Sequence, residues 1–211
     1  RPCSTTNAIS DMTPQRALIQ SVNAIDPDHA TIEDAAEVIG EGGLVAFPTE
    51  TVYGLGANAL ESSAVERIFE AKQRPANNPL IVHVADVDGA RSVVARWPSV
   101  ADQLAGAFWP GPLTMVLPRG GAMPDVVTAG LDTVGVRVPA HPVARALIRA
   151  AGCPIAAPSA NLYTGISPTS ATHVARALGR EVDMILDAGP TTVGIESTVA
   201  AVDEGAVTIL R

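Results

Sequence analysis

Hydrophobic and polar positions alternate between two periods along this chain. Residues 1–28 show neither, and the first dozen are polar, so a partly mobile N-terminal tail is expected there. Thr31 with Asp34 reads as a capping pattern that opens a helix running to Gly40, and Gly42-Gly43 then turns the chain into the apolar strand LVAFP at 44–48. Ser63 with Glu66 opens a second helix to Lys72, with Val65, Ile68 and Phe69 on its inner face and Pro75 as its stop. Strand patterns follow at 79–85, 113–117, 134–139, 153–159 and 184–189. Helical patterns occupy 86–96, 99–108, 142–151 and about 169–178. STVAAV and AVTIL close the chain as an antiparallel pair turned at Asp203-Glu204-Gly205. Strands and helices alternate at first and strands dominate later. The expected fold is therefore one α/β domain at 29–211 with a mixed, twisted sheet.

Of the 211 residues, 47% are apolar and 17% charged, which excludes disorder, and only 3% are aromatic, so the core must be Ala, Val, Ile and Leu. The net charge of −8 excludes a basic nucleic-acid groove over the whole surface, though not a local patch. No apolar run is long enough to span a membrane and no signal-peptide pattern opens the chain, so a cytoplasmic protein is expected. Cys3 and Cys153 support neither a disulfide framework nor a metal cluster, and His29, His83, His141 and His173 have no zinc spacing, so no protein-held metal is expected. Thirteen of the 14 basic residues are Arg, and the exception is Lys72. A coding bias that favours Arg would by itself account for this count. A site that needs a compact ammonium would explain the one Lys.

Several motifs fail. GLGANA at 54–59 matches a dinucleotide fingerprint in letters only, because the helix begins later, and its glycines read as a tight turn. There is no P-loop, and Ser159 in APSAN is not a nucleophile elbow. Four segments instead place polar groups at the exits of apolar strands, where open α/β sheets bind ligands: PTETVYGLG, KQRPANNPLIVHV, TAGLDTVGVRVPAHP and APSANLYTGISPTS. Lys72 and Arg74 suit phosphates, although a helix C-terminus also favours cations. In the latter case, losing either would cost the fold no more than about 1 kcal/mol. Arg137, flanked by Val136 and Val138, either faces solvent or faces inward toward an anion.

On these strings, with FWPGPLTMVL and GIESTV added, the chain from about residue 31 to Arg211 resembles the YrdC-like family of threonylcarbamoyl-AMP synthases. The family's K-x-R and S-x-N signature matches Lys72, Arg74, Ser159 and Asn161. The resemblance implies a YrdC-like fold with a concave, charged cavity. It also implies a reaction in which L-threonine, bicarbonate (or CO2) and ATP give L-threonylcarbamoyl-adenylate and pyrophosphate. By the same implication, downstream partner proteins would pass the threonylcarbamoyl group to tRNA, and with a net charge of −8 weak or no direct tRNA binding by this chain is expected. The resemblance further implies catalytic roles for the four signature residues. L-threonine would contact Thr51, His83, Arg137, Ala157 and Ser197, and ATP would contact Arg74, Asn78, Thr133, Ser159, Ser167 and Arg211. Thr49 and Tyr53 would line the same cavity. Mg2+ is expected to arrive with ATP, held by phosphate oxygens and water. Longer members continue past the position of Arg211 into a second domain. Two other readings remain: a carbamoyltransferase-type domain of the same fold, and an RNA-binding module.

Overall fold

The computed structural model describes residues 17–211. In chain order these form β1 (Leu18–Ser21), α1 (His29–Gly40), β2 (Val45–Pro48), β3 (Tyr53–Asn58), α2 (Ser62–Lys72), β4 (Ile81–His83), α3 (Val87–Ser92), α4 (Ser99–Phe108) and β5 (Leu113–Pro118). Then follow α5 (Asp125–Thr128), β6 (Thr133–Arg137), α6 (Pro142–Ala151), β7 (Ile155–Ala156), α7 (Ala171–Leu178), β8 (Met184–Asp187), β9 (Thr198–Asp203) and β10 (Ala206–Ile209). One mixed sheet runs in the order β1-β8-β2-β3-β7-β4-β6-β5-β9-β10. Among the described residues, no helix is long and apolar enough to cross a membrane.

Three details depart from the sequence reading. The expected tail contains strand β1, which pairs in parallel with β8; residues 1–16 lie outside the described residues. Its residues are mostly exposed at the sheet edge, so no hydrophobic alternation marked them. The segment GLGANA is not a turn but most of β3, paired antiparallel to β2 and β7. Helix α1 is capped by Asp28, whose carboxylate accepts from the Thr31 N–H, and α2 starts behind Glu61, to which Ser63 Oγ donates.

Strand alternation divides the core. On one face α1 and α6 pack Ile32, Ile39, Val143 and Leu147 against Val45, Phe47, Ile155, Met184 and Leu186. On the other face Ala46, Leu55, Val82, Met115, Val134 and Val136 join one large cluster with α2 and α7. The α1–α6 cover is centred on β8, β2, β3 and β7. Beyond β7, the same face of β4, β6 and β5 presents Ile81, His83, Thr133, Gly135, Arg137, Thr114 and Val116 as cavity wall rather than as core. A sheet with helices on both faces at one side and one bare face at the other leaves a ligand site in its own plane.

Candidate functional site

The bare face is the floor of a cavity of about 380 Å3, within the ordinary range for small-molecule sites. Its wall brings together residues from distant parts of the chain: Thr49 and Thr51 after β2, Arg74 and Asn78 after α2, His83 on β4, Thr133 and Arg137 on β6, Ala157 and Ser159 after β7, and Ser197 and Arg211 around β9 and β10. Ten of the residues singled out for L-threonine or ATP therefore share one cavity; Lys72, Asn161 and Ser167 do not lie on its wall.

Register fixes the long axis. His83 is the neighbour of Arg137 across the β4–β6 pair, and Ile81 is the neighbour of Gly135. Thr133 precedes Arg137 by four residues on β6, so the two ends lie roughly 13 Å apart. At the Arg137 end, Val136 and Val138 are buried in the core, and alternation turns Arg137 to the cavity face. Its guanidinium is already engaged. Nε donates to Gly111 O at 3.2 Å; Nη2 donates to Glu50 Oε1 at 2.6 Å and to Thr51 Oγ1 at 3.2 Å. His83 is buried beside it, edge-on to Phe47, and its Nδ1 has no hydrogen-bond partner among the described residues. Burial, and then the nearby Arg137 charge, push the imidazole down to about 3, so His83 stands neutral.

The other end is built by the exit from α2. Gln73 takes a left-handed conformation (φ 51°) and ends the helix, and this reversal sends its two neighbours in different directions. Arg74 reaches the cavity wall, donating to Asn78 O and Pro79 O with its guanidinium 5.9 Å from the Tyr163 ring centre. Lys72 turns inward. It is 1% exposed, and its ammonium donates to Ser159 O and Asn161 O at 2.5 Å each. Burial and the Arg74 charge bring the ammonium down to about 8. The 157–161 segment is also tied to β3 through Leu55 N–H to Pro158 O and Ala160 N–H to Tyr53 O. Lys72 thus locks the loop that presents Ser159. Asn161 donates to Leu162 O and Gly165 O, while its Oδ1 is buried and unpartnered among the described residues.

At the rim, Glu196 accepts from Ser167 Oγ at 2.5 Å and lies 3.8 Å from Arg211, which itself donates to Ser197 O. Ser197 Oγ shares a hydrogen bond with Thr114 at 3.0 Å. Tyr53 is a correction: it is fully buried in the core, with its hydroxyl donating to Gly189 O at 2.6 Å, and it does not line the cavity. Its aromatic ring fills space that an Ala- and Val-rich core leaves open. Sequence reasoning assigned no role to Glu50, Thr114 or Glu196. Thr114 carried a signal as the lone polar residue in LTMVL, on the same strand face as Val116. Glu50 and Glu196 stood within quoted strings, but only the fold shows what each faces.

The donor set fits a magnesium ion carried by a nucleotide. Among the described residues no three His, Cys, Asp or Glu converge, and Glu196 is the carboxylate on the cavity wall. Phosphate oxygens and water would supply most of the ligands.

Comparison with known proteins supplies the lineage. The chain is 54% identical over 180 residues to a threonylcarbamoyl-AMP synthase of Pyrococcus abyssi, covering 85% of this chain and 53% of that protein. It is 47% identical over 201 residues to one from Bacillus subtilis, covering 95% and 58%. A crystal structure of P. abyssi Sua5 complexed with L-threonine superposes with a TM-score of 0.90 at 51% identity, over 92% of this chain and 57% of that one. The chain spans about half the length of these curated relatives. The Sua5/YciO/YrdC family model, described as telomere recombination, matches residues 37–211, a stretch that contains every cavity residue named above, and the chain belongs to that family.

Proposed function

We propose that this domain forms L-threonylcarbamoyl-adenylate and pyrophosphate from L-threonine, bicarbonate or CO2, and ATP, for tRNA modification. One observation carries the reading: ten of the residues assigned to the amino acid or the nucleotide converge from separate segments onto the wall of one cavity. The names of the relatives and the threonine complex of the P. abyssi protein support the choice of substrates.

The amino acid lies at the His83–Arg137 end, with its carboxylate on Arg137. Neutral His83 adds no second positive charge there, which suits an amine that must be uncharged to react. The amine and bicarbonate combine to a carbamate with loss of water. A carbamate oxygen then bonds to the α-phosphorus as the bond to the pyrophosphate leaving group breaks. Arg74, Asn78, Ser159 and Arg211 hold the nucleotide, and the two arginines meet the charge that builds on the phosphates. Mg2+ carried in with ATP would neutralise part of that charge. The cavity performs alignment rather than nucleophilic catalysis, because both reacting groups belong to the substrates.

Pyrophosphate release, measured with ATP, bicarbonate and each amino acid in turn, tests this reading. We expect release to require L-threonine and bicarbonate together. Equal release without any amino acid would reduce the domain to an ATPase.

A further inference from the structure

We propose that Glu50, which does not line the cavity, is the positioning residue of the amino-acid end, and that it fixes which atoms of Arg137 a ligand can meet. The inference rests on the proposed substrate assignment only for the identity of that ligand.

The argument is a hydrogen-bond count. The Glu50 side chain is 12% exposed, and both of its oxygens are used. Oε1 accepts from Arg137 Nη2 and Oε2 accepts from the Ala140 N–H at 3.1 Å. The Glu50 carbonyl also accepts from the Val193 N–H, and the Thr51 carbonyl from the Gly194 N–H, so the residue is anchored on three sides. Arg137 has five N–H groups. Nε is spent on Gly111 O, and both hydrogens of Nη2 are spent on Glu50 and Thr51. Nη1 makes no hydrogen bond among the described residues, and Arg137 lines the cavity. A carboxylate therefore meets the two N–H groups of Nη1, not a fork that includes Nε or Nη2.

The same guanidinium holds Thr51. Thr51 Oγ1 accepts from Arg137 Nη2 and lies 2.9 Å from Thr49 Oγ1. Thr49 Oγ1 is itself fixed, donating to Val52 O at 2.6 Å and accepting from the Thr51 and Val52 N–H groups at 3.2 Å. Glu50 therefore orients Arg137 so that Nη2 faces Glu50 and Thr51 while the two N–H groups of Nη1 remain for a ligand carboxylate.

Two measurements on Glu50→Gln test this. The amide places a donor against either Arg137 Nη2 or the Ala140 N–H, with almost no change of volume. The first is NMR of the Arg137 guanidinium, identified as the signal missing from Arg137→Lys. Hindered Nη rotation is expected in the wild type and free rotation in Glu50→Gln. The second is calorimetric binding, where a threonine affinity at least tenfold weaker with ATP affinity within twofold is expected. Free rotation in the wild type overturns the proposal even if the variant fails to fold. So do unchanged or tighter threonine binding, which would make Glu50 a competitor of the ligand carboxylate, and equal losses for both ligands, which would make it a general fold element. If the wild type shows hindered rotation that Glu50→Gln releases, yet binds no threonine, then Glu50 positions Arg137 and the substrate assignment is what fails.

Discussion

At the scale of single residues, Lys72 and His83 show how burial decides chemistry. Lys72 stands at a helix C-terminus, where a cation is ordinarily a surface decoration, yet it is 1% exposed and holds two carbonyls of the Ser159 loop. The expected small cost of losing it is therefore wrong: each abandoned carbonyl costs about 1–3 kcal/mol. Lys72→Met should lower the melting temperature by roughly 5–15 °C and cut pyrophosphate release about a hundredfold or more. Lys72→Arg should not rescue either, because a planar guanidinium cannot occupy the volume of an ammonium between Ser159 O and Asn161 O. Arg74→Ala should cut release as much while melting close to the wild type, since Arg74 sits on the cavity wall. Calorimetric melts and rates for the three variants check this, and full activity in Lys72→Arg would contradict it. His83 titrates near 6.5 when unfolded and is pushed down to about 3 in the fold. Unfolding therefore takes up a proton below pH 6.5. The stability contributed by the neutral imidazole is complete above that pH and is lost as pH falls, at about 1.4 kcal/mol per unit. His83→Asn should lack this slope. Urea titrations at pH 7, 6 and 5 would show the wild type losing ground to the variant; a constant difference would contradict the buried neutral state.

At the scale of elements, β3 explains why part of the fold was not legible in the sequence. Its glycines at 54 and 56 read as a turn because glycine usually signals one. In the sheet, a Cβ on Gly56 would meet Phe47 Cε1 at 2.6 Å and Ile155 Cγ2 at 2.8 Å, so glycine is there for close packing of β2 and β7. Gly56→Ala should cost about 1–3 kcal/mol. Gly40→Ala, at the end of α1 with nothing within 4 Å of its Cβ, should be neutral or stabilising by up to about 1 kcal/mol. Denaturant midpoints of the two variants check the contrast; similar midpoints would mean that β2 and β7 shift to admit the methyl. Strands with clean apolar runs, such as LVAFP and VGVRVP, were legible because hydrophobic alternation specifies them locally. The edge strand β1 was not, since exposed residues carry no period. In the cavity, the sequence marked the polar strand exits, and it left Arg137 open between the solvent face and an inward anion. It could not mark Glu50 as the partner of Arg137, because 87 residues separate them and the run of pairings from β2 through β3, β7 and β4 to β6 brings their loops together.

At the scale of the whole molecule, charge is sorted rather than balanced. The chain carries a net charge of −8, yet its cavity wall gathers Arg74, Arg137 and Arg211, and the carboxylates near them, Glu50 and Glu196, are both hydrogen-bonded. Arginines gathered on a cavity wall in a chain of net negative charge favour a small polyanion over a large one. On the proposed reading, a nucleotide would enter the cavity and meet the arginines directly. A tRNA backbone would meet a chain of like charge, and its affinity would depend on cations in a cavity too small to admit it. Mass action turns this into a measurable difference. ATP at 100 times its dissociation constant should stabilise the fold by about 2.7 kcal/mol, a melting shift of roughly 5–10 °C for a chain of this length. Arg74→Ala should remove most of that shift, because the guanidinium no longer meets the phosphates. Unmodified tRNA at the same phosphate concentration and physiological salt should leave the melting temperature within about 1 °C of the free protein. A tRNA shift equal to that of ATP, steeply lost as salt rises, would instead place the ligand on the outer surface and favour the RNA-binding reading over a nucleotide cavity.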